Sequence, residues 1–245
     1  MKIMSFNLRV DVLEDGVNAF SNRLNAITAF LNKENPDVIG FQEVRPNMLE
    51  SLIKMLHNYA YVGEPRALND EYNPIFYKKN YTKKHTQTFW FGNTPNIKGS
   101  KHPDAYFPRI FTTLTLTINK TNYEFVNTHF SHISHIARVN SLKTIVDYYI
   151  TRKTKLPFIL MGDFNAHPTQ QVNEILSPHL DSCWNHYFDD NLTFHGFSDL
   201  TKGDPIDYIW VDKSIIIDTV TIYKEKVNNQ YLSDHYPISI VINNT

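Results

Sequence analysis

The sequence predicts an α/β sandwich: two mixed, mainly antiparallel sheets packed face to face, with helices outside. Three observations predict it. Short apolar runs bounded by polar or turn residues recur along the whole chain and read as strands. Helix-period segments are interleaved with them rather than gathered in one block. Neighbouring runs such as 110–118 and 122–129 are separated by a few residues, which suits an antiparallel hairpin. Two stacked sheets would bury such runs efficiently.

Residues 2–7 form the first expected strand. An amphipathic helix follows over 20–33, with Ser21 near its start and Leu24, Ile27 and Leu31 on one face. Asn35-Pro36 stops it, because the residue before a proline is driven out of helical conformation. The nearly all-apolar run 37–43 is a second strand, and Pro46 opens a helix through about Leu56. Strands are then expected at 58–63, 73–79, 86–91, 110–118 and 122–129. In the 110–118 strand, Thr alternates with Leu as a half-exposed strand requires. Residues 134–151 carry Ile136, Val139, Leu142, Ile145, Val146 and Tyr149 at helical spacing. After them come a strand at 157–162, a helix near 169–176, strands near 206–211 and 216–224, and a last strand at 236–242. Long loops are left at about 92–108 and 179–205; loops of that length on a compact fold tend to be functional.

The 245 residues contain no repeat, low-complexity tract or linker, so a single domain over 1–245 is expected. One cysteine, Cys183, excludes an internal disulfide and a cysteine-based zinc site. A net charge of −1 argues against a protein that grips long nucleic acid by counterion release. No apolar run is long enough to span a membrane, no signal-peptide pattern opens the chain, and nothing points to a protein partner; a cytoplasmic location is the expectation.

Polar residues that could do chemistry stand at strand ends. Residues 1–6 lead into Asn7, 37–42 into Glu43, 157–162 into Asp163 with Asn165 two positions on, and 231–233 into Asp234-His235. A buried carboxylate is costly unless it is paired or holds a metal, so this repeated placement suggests a metal-assisted site. A glutamate after an apolar strand is ordinarily a surface residue. In this company Glu43 reads better as a ligand for Mg²⁺, with Mn²⁺ as a substitute and Asn7 orienting the carboxylate. Asp163 suits positioning or deprotonating a water, and Asn165 charge stabilisation on a phosphoryl oxygen; the same pair also reads as an Asx turn ending a strand. His235 would need an orienting partner, for which Asp207 is the candidate. His129, His132 and His135 invite a zinc reading, but the strand-to-helix geometry is awkward, and His129 alone is better read as a donor to a phosphate. Arg109 offers a guanidinium fork for phosphate. Among the loop-flanking aromatics, Trp90, Phe91, Tyr106, Phe107, Trp184, Phe194 and Phe197, most should be core and a few could stack on a base or sugar.

In order along the chain, Ser5-Phe6-Asn7, Gln42-Glu43, Asn127-Thr128-His129, Gly162-Asp163-Phe164-Asn165, Ile206-Asp207-Tyr208 and Ser233-Asp234-His235 resemble the motifs of the endonuclease/exonuclease/phosphatase superfamily, the deoxyribonuclease I-like proteins. Each motif is weak alone; six in order are specific. The stretches 73–77 and 108–110 resemble the small bacterial branch, which makes Asn73 and Arg109 the expected substrate contacts. The resemblance implies a four-layered α/β sandwich and divalent-metal hydrolysis of a phosphoester. It implies Mg²⁺ at Glu43 with Asn7 and Asp234 near it, and Asp163 aligning the attacking water. Asn165 would support the transition state, His235 with Asp207 would face the phosphoryl oxygens, and His129 would lie near the scissile phosphate. The first expected activity is a phosphodiesterase or nuclease; the alternative is a phosphomonoesterase on sugar, inositol or nucleotide phosphates. A silent binding protein is disfavoured because the catalytic set is complete. The expected substrate is a small phosphorylated molecule or single-stranded nucleic acid.

Overall fold

A computed structural model describes residues 1–184 and 191–243. The strands are β1 (Lys2–Asn7), β2 (Val38–Gln42), β3 (Tyr59–Val62), β4 (Ile75–Lys78), β5 (Thr82–Trp90), β6 (Ile110–Ile118), β7 (Thr121–His129), β8 (Phe158–Asp163), β9 (Leu180–Ser182), β10 (Asp207–Asp212), β11 (Ile217–Ile222) and β12 (Ile238–Ile242). The helices are α1 (Phe20–Glu34), α2 (Pro46–Met55), α3 (His135–Thr151) and the single turn α4 (Asn173–Leu176).

They build two six-stranded sheets, with strand orders β11-β12-β1-β2-β4-β3 and β5-β6-β7-β8-β10-β9. Within each sheet one pair is parallel, β1 with β2 and β7 with β8, and the others are antiparallel. Alternate residues of the central strands point to opposite faces, and both faces are buried, which is why these strands read as unbroken apolar runs. Ile3, Val38, Leu114, Phe125, Ile159 and Met161 pack between the sheets. Met4, Phe6, Ile39 and Phe41 face outward onto Ile27, Phe30, Leu31, Leu49 and Leu52 of α1 and α2. Val126, Leu160, Tyr208 and Trp210 face outward onto Leu142 and Ile145 of α3. Helix, sheet, sheet and helix make the four layers of the expected sandwich.

Four local features differ from the sequence reading. β5 begins at Thr82 rather than 86, because residues 82–85 are exposed on a sheet edge and carry no apolar alternation; lysines such as Lys83 and Lys84 are what an edge uses against intermolecular pairing. The loop expected at 179–205 contains β9, three residues paired to β10, while its stretch 185–190 lies outside the described residues. α1 is preceded by Ala19 with no side-chain cap, so Ser21 does not cap it. α3 is capped by Ser134, whose hydroxyl accepts from the Ala137 amide. It buries Ala137, Arg138, Ser141, Leu142 and Ile145, and leaves Ile136 57% exposed.

Candidate active site

The strand directions gather the polar residues. β1, β2, β7 and β8 all end at one rim of the sandwich, delivering Asn7, Glu43, His129 and Asp163. β10 runs antiparallel to β8, so its first residue, Asp207, pairs in register with Asp163. β12 runs antiparallel to β1, so the approach to its start brings Asp234-His235 to the same rim. Asn127 ties the sheets together behind it: its amide donates to the carbonyls of Phe41 (2.7 Å) and Pro74 (3.0 Å) and its oxygen accepts from Gln42 (2.7 Å). Three non-glycine residues of the rim, Arg9, Glu43 and Asn165, have left-handed backbone (φ 56°, 61° and 49°), a conformation that concentrates where side chains must be aimed.

Asn7 stands at the centre. Its Nδ2 donates to Asp163 Oδ2 (2.9 Å) and Glu43 Oε1 (3.2 Å), while its oxygen accepts from the Arg9 amide. Glu43 Oε2 accepts from the Val10 amide at 2.7 Å. Asp163 Oδ1 accepts from the Asn165 amide at 2.8 Å. This is the Asx turn the sequence allowed, yet the Asn165 side chain also reaches the site, with Nδ2 2.9 Å from His129 Nε2. His235 Nδ1 lies 2.8 Å from Asp207 Oδ2, and Nε2 lies 3.8 Å from Asp163 Oδ2. Two sets of donor atoms lie mutually within 4.8 Å: Glu43, His129 and Asp163, and Asp163, Asp207 and His235.

Charge states follow from burial and neighbours. Burial, and then the Asp207 charge across the ladder, push the Asp163 carboxyl up to about 7, with His235 pulling the other way. Burial disfavours a charged His235, but Asp207 and Asp163 outweigh it, and the imidazole stays protonated well above its usual value. His129 is the reverse: burial, reinforced by the Arg109 charge, holds it well below the usual range, so it is neutral. Its 3.4 Å approach to Asp163 is therefore a polar contact rather than an ion pair. With the Asn165 amide donating to Nε2, a neutral His129 carries its proton on Nδ1, which is buried with no hydrogen-bond partner among the described residues. In this arrangement His129 Nε2 serves the Asn165 amide as an acceptor.

A cleft of about 630 Å³ opens over the rim. Glu43, His129, Asp163, Asn165, Asp234, His235 and Arg109 line it. Arg109 is buried, with Nη2 3.0 Å from His132 Nδ1. Among the described residues Asp234 is in neither donor set: it lines the cleft with its carboxylate 3.8 Å from Arg9, and it accepts from the Ser233 hydroxyl. Asn73 does not line the cleft. Its buried amide donates to the Ile110 carbonyl and joins the lead-in of β4 to β6, a bracing contact in place of the expected substrate contact. The three histidines of the zinc reading do not gather among the described residues; His132 turns to Arg109 and His135 opens α3. Of the loop aromatics, Phe107 and Phe194 line the cleft, with the Phe194 ring 5.0 Å from that of His235, while Trp90 and Phe91 are core.

Several cleft residues were not singled out by the sequence. Arg9, Arg45, Arg66, Asp70 and Glu71 are held there by ion pairs, local in sequence for Arg9–Asp15, Arg66–Asp70 and Arg66–Glu71, and brought together by the fold for Arg45–Asp70. Arg23 is fully buried, and its guanidinium donates to the carbonyls of Leu8, Asn18 and Leu232. It thereby fixes the chain just after Asn7 and just before Asp234. In the sequence it was one charge on an amphipathic helix; only its position among buried neighbours marks it out.

A model described as the Endonuclease/Exonuclease/phosphatase family matches residues 4–235. A mannosyl-6-phosphatase of Bacteroides thetaiotaomicron superposes with a TM-score of 0.91 over 100% of both chains at 25% identity. A D. rerio TDP2 complexed with a single-strand DNA product superposes with a TM-score of 0.81 at 18% identity, over 100% of this chain and 99% of that one, a likeness of fold. An uncharacterized protein of Acanthamoeba polyphaga mimivirus is 25% identical over 250 residues, covering 92% of each sequence.

Proposed function

Because the chain belongs to the endonuclease/exonuclease/phosphatase family, we propose that it is a divalent-metal-dependent phosphoester hydrolase that reacts at the Asn7–Glu43–Asp163–His235 cluster. The observation that carries this reading is the Asn7 amide, which hydrogen-bonds Glu43 and Asp163 at once. The donor set fits a hard cation. Glu43 supplies a partly exposed carboxylate oxygen, Asp163 a second carboxylate within 4.8 Å, and the nitrogen in the set belongs to a histidine already engaged with Asn165. Glu43 would hold Mg²⁺, with Asn7 fixing the carboxylate; Mn²⁺ prefers the same oxygen ligands. Bound there, the cation would neutralise phosphoryl charge and lower the pKa of a coordinated water.

The protein's own groups supply the rest. Ionised Asp163 orients the attacking water and accepts its proton. Protonated His235, held by Asp207, donates from Nε2 to a phosphoryl oxygen as charge develops. Asn165, held beside the site by the His129 ring and the Phe130 carbonyl, would turn an N–H from one of them to the same group as charge develops. Arg109 offers a buried guanidinium to the phosphate.

The sequence left open a phosphodiesterase or nuclease and a phosphomonoesterase. The second reading is supported by the likeness to a mannosyl-6-phosphatase over the full length of both chains. The test is hydrolysis with Mg²⁺, Mn²⁺ or EDTA over nitrophenyl phosphate, its diester, sugar and inositol phosphates, and single- and double-stranded nucleic acid. Metal-dependent turnover abolished by Glu43→Ala is expected. Turnover that survives EDTA or the substitution would sink the assignment.

A further inference from the structure

Among the described residues, four arginines line the cleft, Arg9, Arg45, Arg66 and Arg109, against the five carboxylates of Glu43, Asp70, Glu71, Asp163 and Asp234, and no lysine does. Three of these arginines are already engaged. Arg9 holds Asp15 through Nε at 3.0 Å and Nη2 at 3.2 Å. Arg66 spans Asp70 (2.9 Å) and Glu71 (2.9 Å). Arg45 reaches Asp70 at 3.3 Å and Glu71 at 3.8 Å. Among the described residues, Arg109 is the cleft arginine with no carboxylate within ion-pair distance; it lies between the wall, where Glu71 is the first charge it feels, and His129, on which its own charge acts first. The cleft therefore has uncommitted positive charge for one phosphate, beside the reacting cluster. A second phosphate would meet a wall whose cations are neutralised, whereas nucleic-acid binding draws on free Lys and Arg for most of its affinity.

That wall is built to be rigid. The Arg66 amide donates to the Glu71 carbonyl (2.8 Å), closing residues 66–71 into a turn. The Arg66 carbonyl accepts from the Trp90 indole (2.7 Å), and its guanidinium lies 4.7 Å from the centre of the Phe107 ring. Arg66 is thus the buried brace, while the Arg45 side chain, 39% exposed, and the Asp70 side chain, 19% exposed, turn toward the cleft. Guanidinium N–H donors and carboxylate acceptors presented side by side match a hydroxyl, which accepts and donates at once. Phe107 and Leu68 add apolar surface to the same lining, suited to the C–H face of a ring.

We propose that the Arg45–Asp70–Arg66–Glu71 wall is the alcohol subsite and selects esters that carry a single phosphate on a neutral, hydroxyl-rich group. This rests on reading the cleft as a phosphoester hydrolase site. Arg45 and Asp70 are its specificity-determining residues, and Arg66 with Glu71 positions them.

The experiment compares kcat/KM of the full chain with Mg²⁺ on a hexose 6-phosphate, a hexose bisphosphate, nitrophenyl phosphate and a short oligonucleotide. It is repeated for Arg45→Met and Asp70→Asn, with folding checked by circular dichroism. The hexose monophosphate should exceed the bisphosphate and the oligonucleotide by about tenfold or more. In either variant the hexose-to-nitrophenyl ratio should fall by about tenfold or more, because a site built around hydroxyls loses discrimination when its partners go. Preference for the oligonucleotide or bisphosphate, or an unchanged ratio in both folded variants, overturns the subsite while leaving the hydrolase reading standing. No turnover of any ester, nitrophenyl phosphate included, overturns the hydrolase reading and the subsite with it.

Discussion

Asp163 and Asp207 stand directly opposite each other across the antiparallel β8–β10 pair, two buried carboxylates in one register position. Like charges so placed repel, and the fold answers with His235, 2.8 Å from Asp207 and 3.8 Å from Asp163. The arrangement separates two carboxyl groups of one residue type. Asp207 is bound to the imidazolium, and Asp163 is left titrating near 7, where a carboxylate can exchange protons at neutral pH.

Asp207→Asn keeps the shape and removes one charge. His235 loses its main stabilising partner, so its pKa falls; Asp163 loses a repelling neighbour, so its pKa falls as well. Both limbs of the pH–rate profile should move to lower pH, and kcat at neutral pH should drop by about 10²–10⁴. Steady-state kinetics from pH 5 to 9 check this; an alkaline limb that stays in place would separate His235 from the reaction.

Asn7→Ala removes the amide that links Glu43 to Asp163. Partners that orient metal-binding carboxylates typically matter by about 10–100-fold in metal affinity. The Mg²⁺ concentration for half-maximal activity should rise by that factor, and calorimetric titration of the unliganded protein with Mg²⁺ should give the same ratio. Equal affinities in the two proteins would remove Asn7 from the metal site.

What the sequence made legible was local. Asn7, Glu43 and Asp163 each follow an apolar strand, so their arrival at a strand end can be read from a few residues. The wall could not be read that way: Arg45 and Asp70 meet only because the turn at 66–71 folds back beside the start of α2. Asn73 misled for a related reason. Its neighbours resemble a substrate-binding stretch, but the Ile110 carbonyl that takes its amide belongs to the other sheet. β9 is too short to show a period, and the outer half of β5 has nothing apolar to alternate.

Gly162 tests whether backbone packing aims Asp163. A Cβ there would sit 2.1 Å from the Thr128 carbonyl oxygen, on a backbone with φ 152°. The clash is with the main chain of β7, which cannot rotate away. Gly162→Ala should cost about 1–3 kcal/mol from overpacking alone and should reduce kcat by shifting the next residue. Urea denaturation and kinetics together check it; wild-type values in both would mean that β7 and β8 can part without cost.

His195 makes stability itself depend on pH. Its ring is buried and stacked 4.0 Å from that of Tyr236, with Nδ1 3.0 Å from the Ser198 carbonyl oxygen. Burial is the main cause that lowers its pKa to about 4, from about 6.5 in an unfolded chain. Between those values the unfolded state binds the extra proton and the native state does not, so stability must fall as pH drops through this window. The stabilisation is fully present above about 6.5, and the loss approaches about 3 kcal/mol by pH 4. His195→Phe keeps the stacking surface and deletes the titration. Its stability should be offset from wild type by a constant above pH 6.5 and should fall less steeply below it. Parallel curves from pH 7 to 4 would show that this histidine does not couple folding to protons.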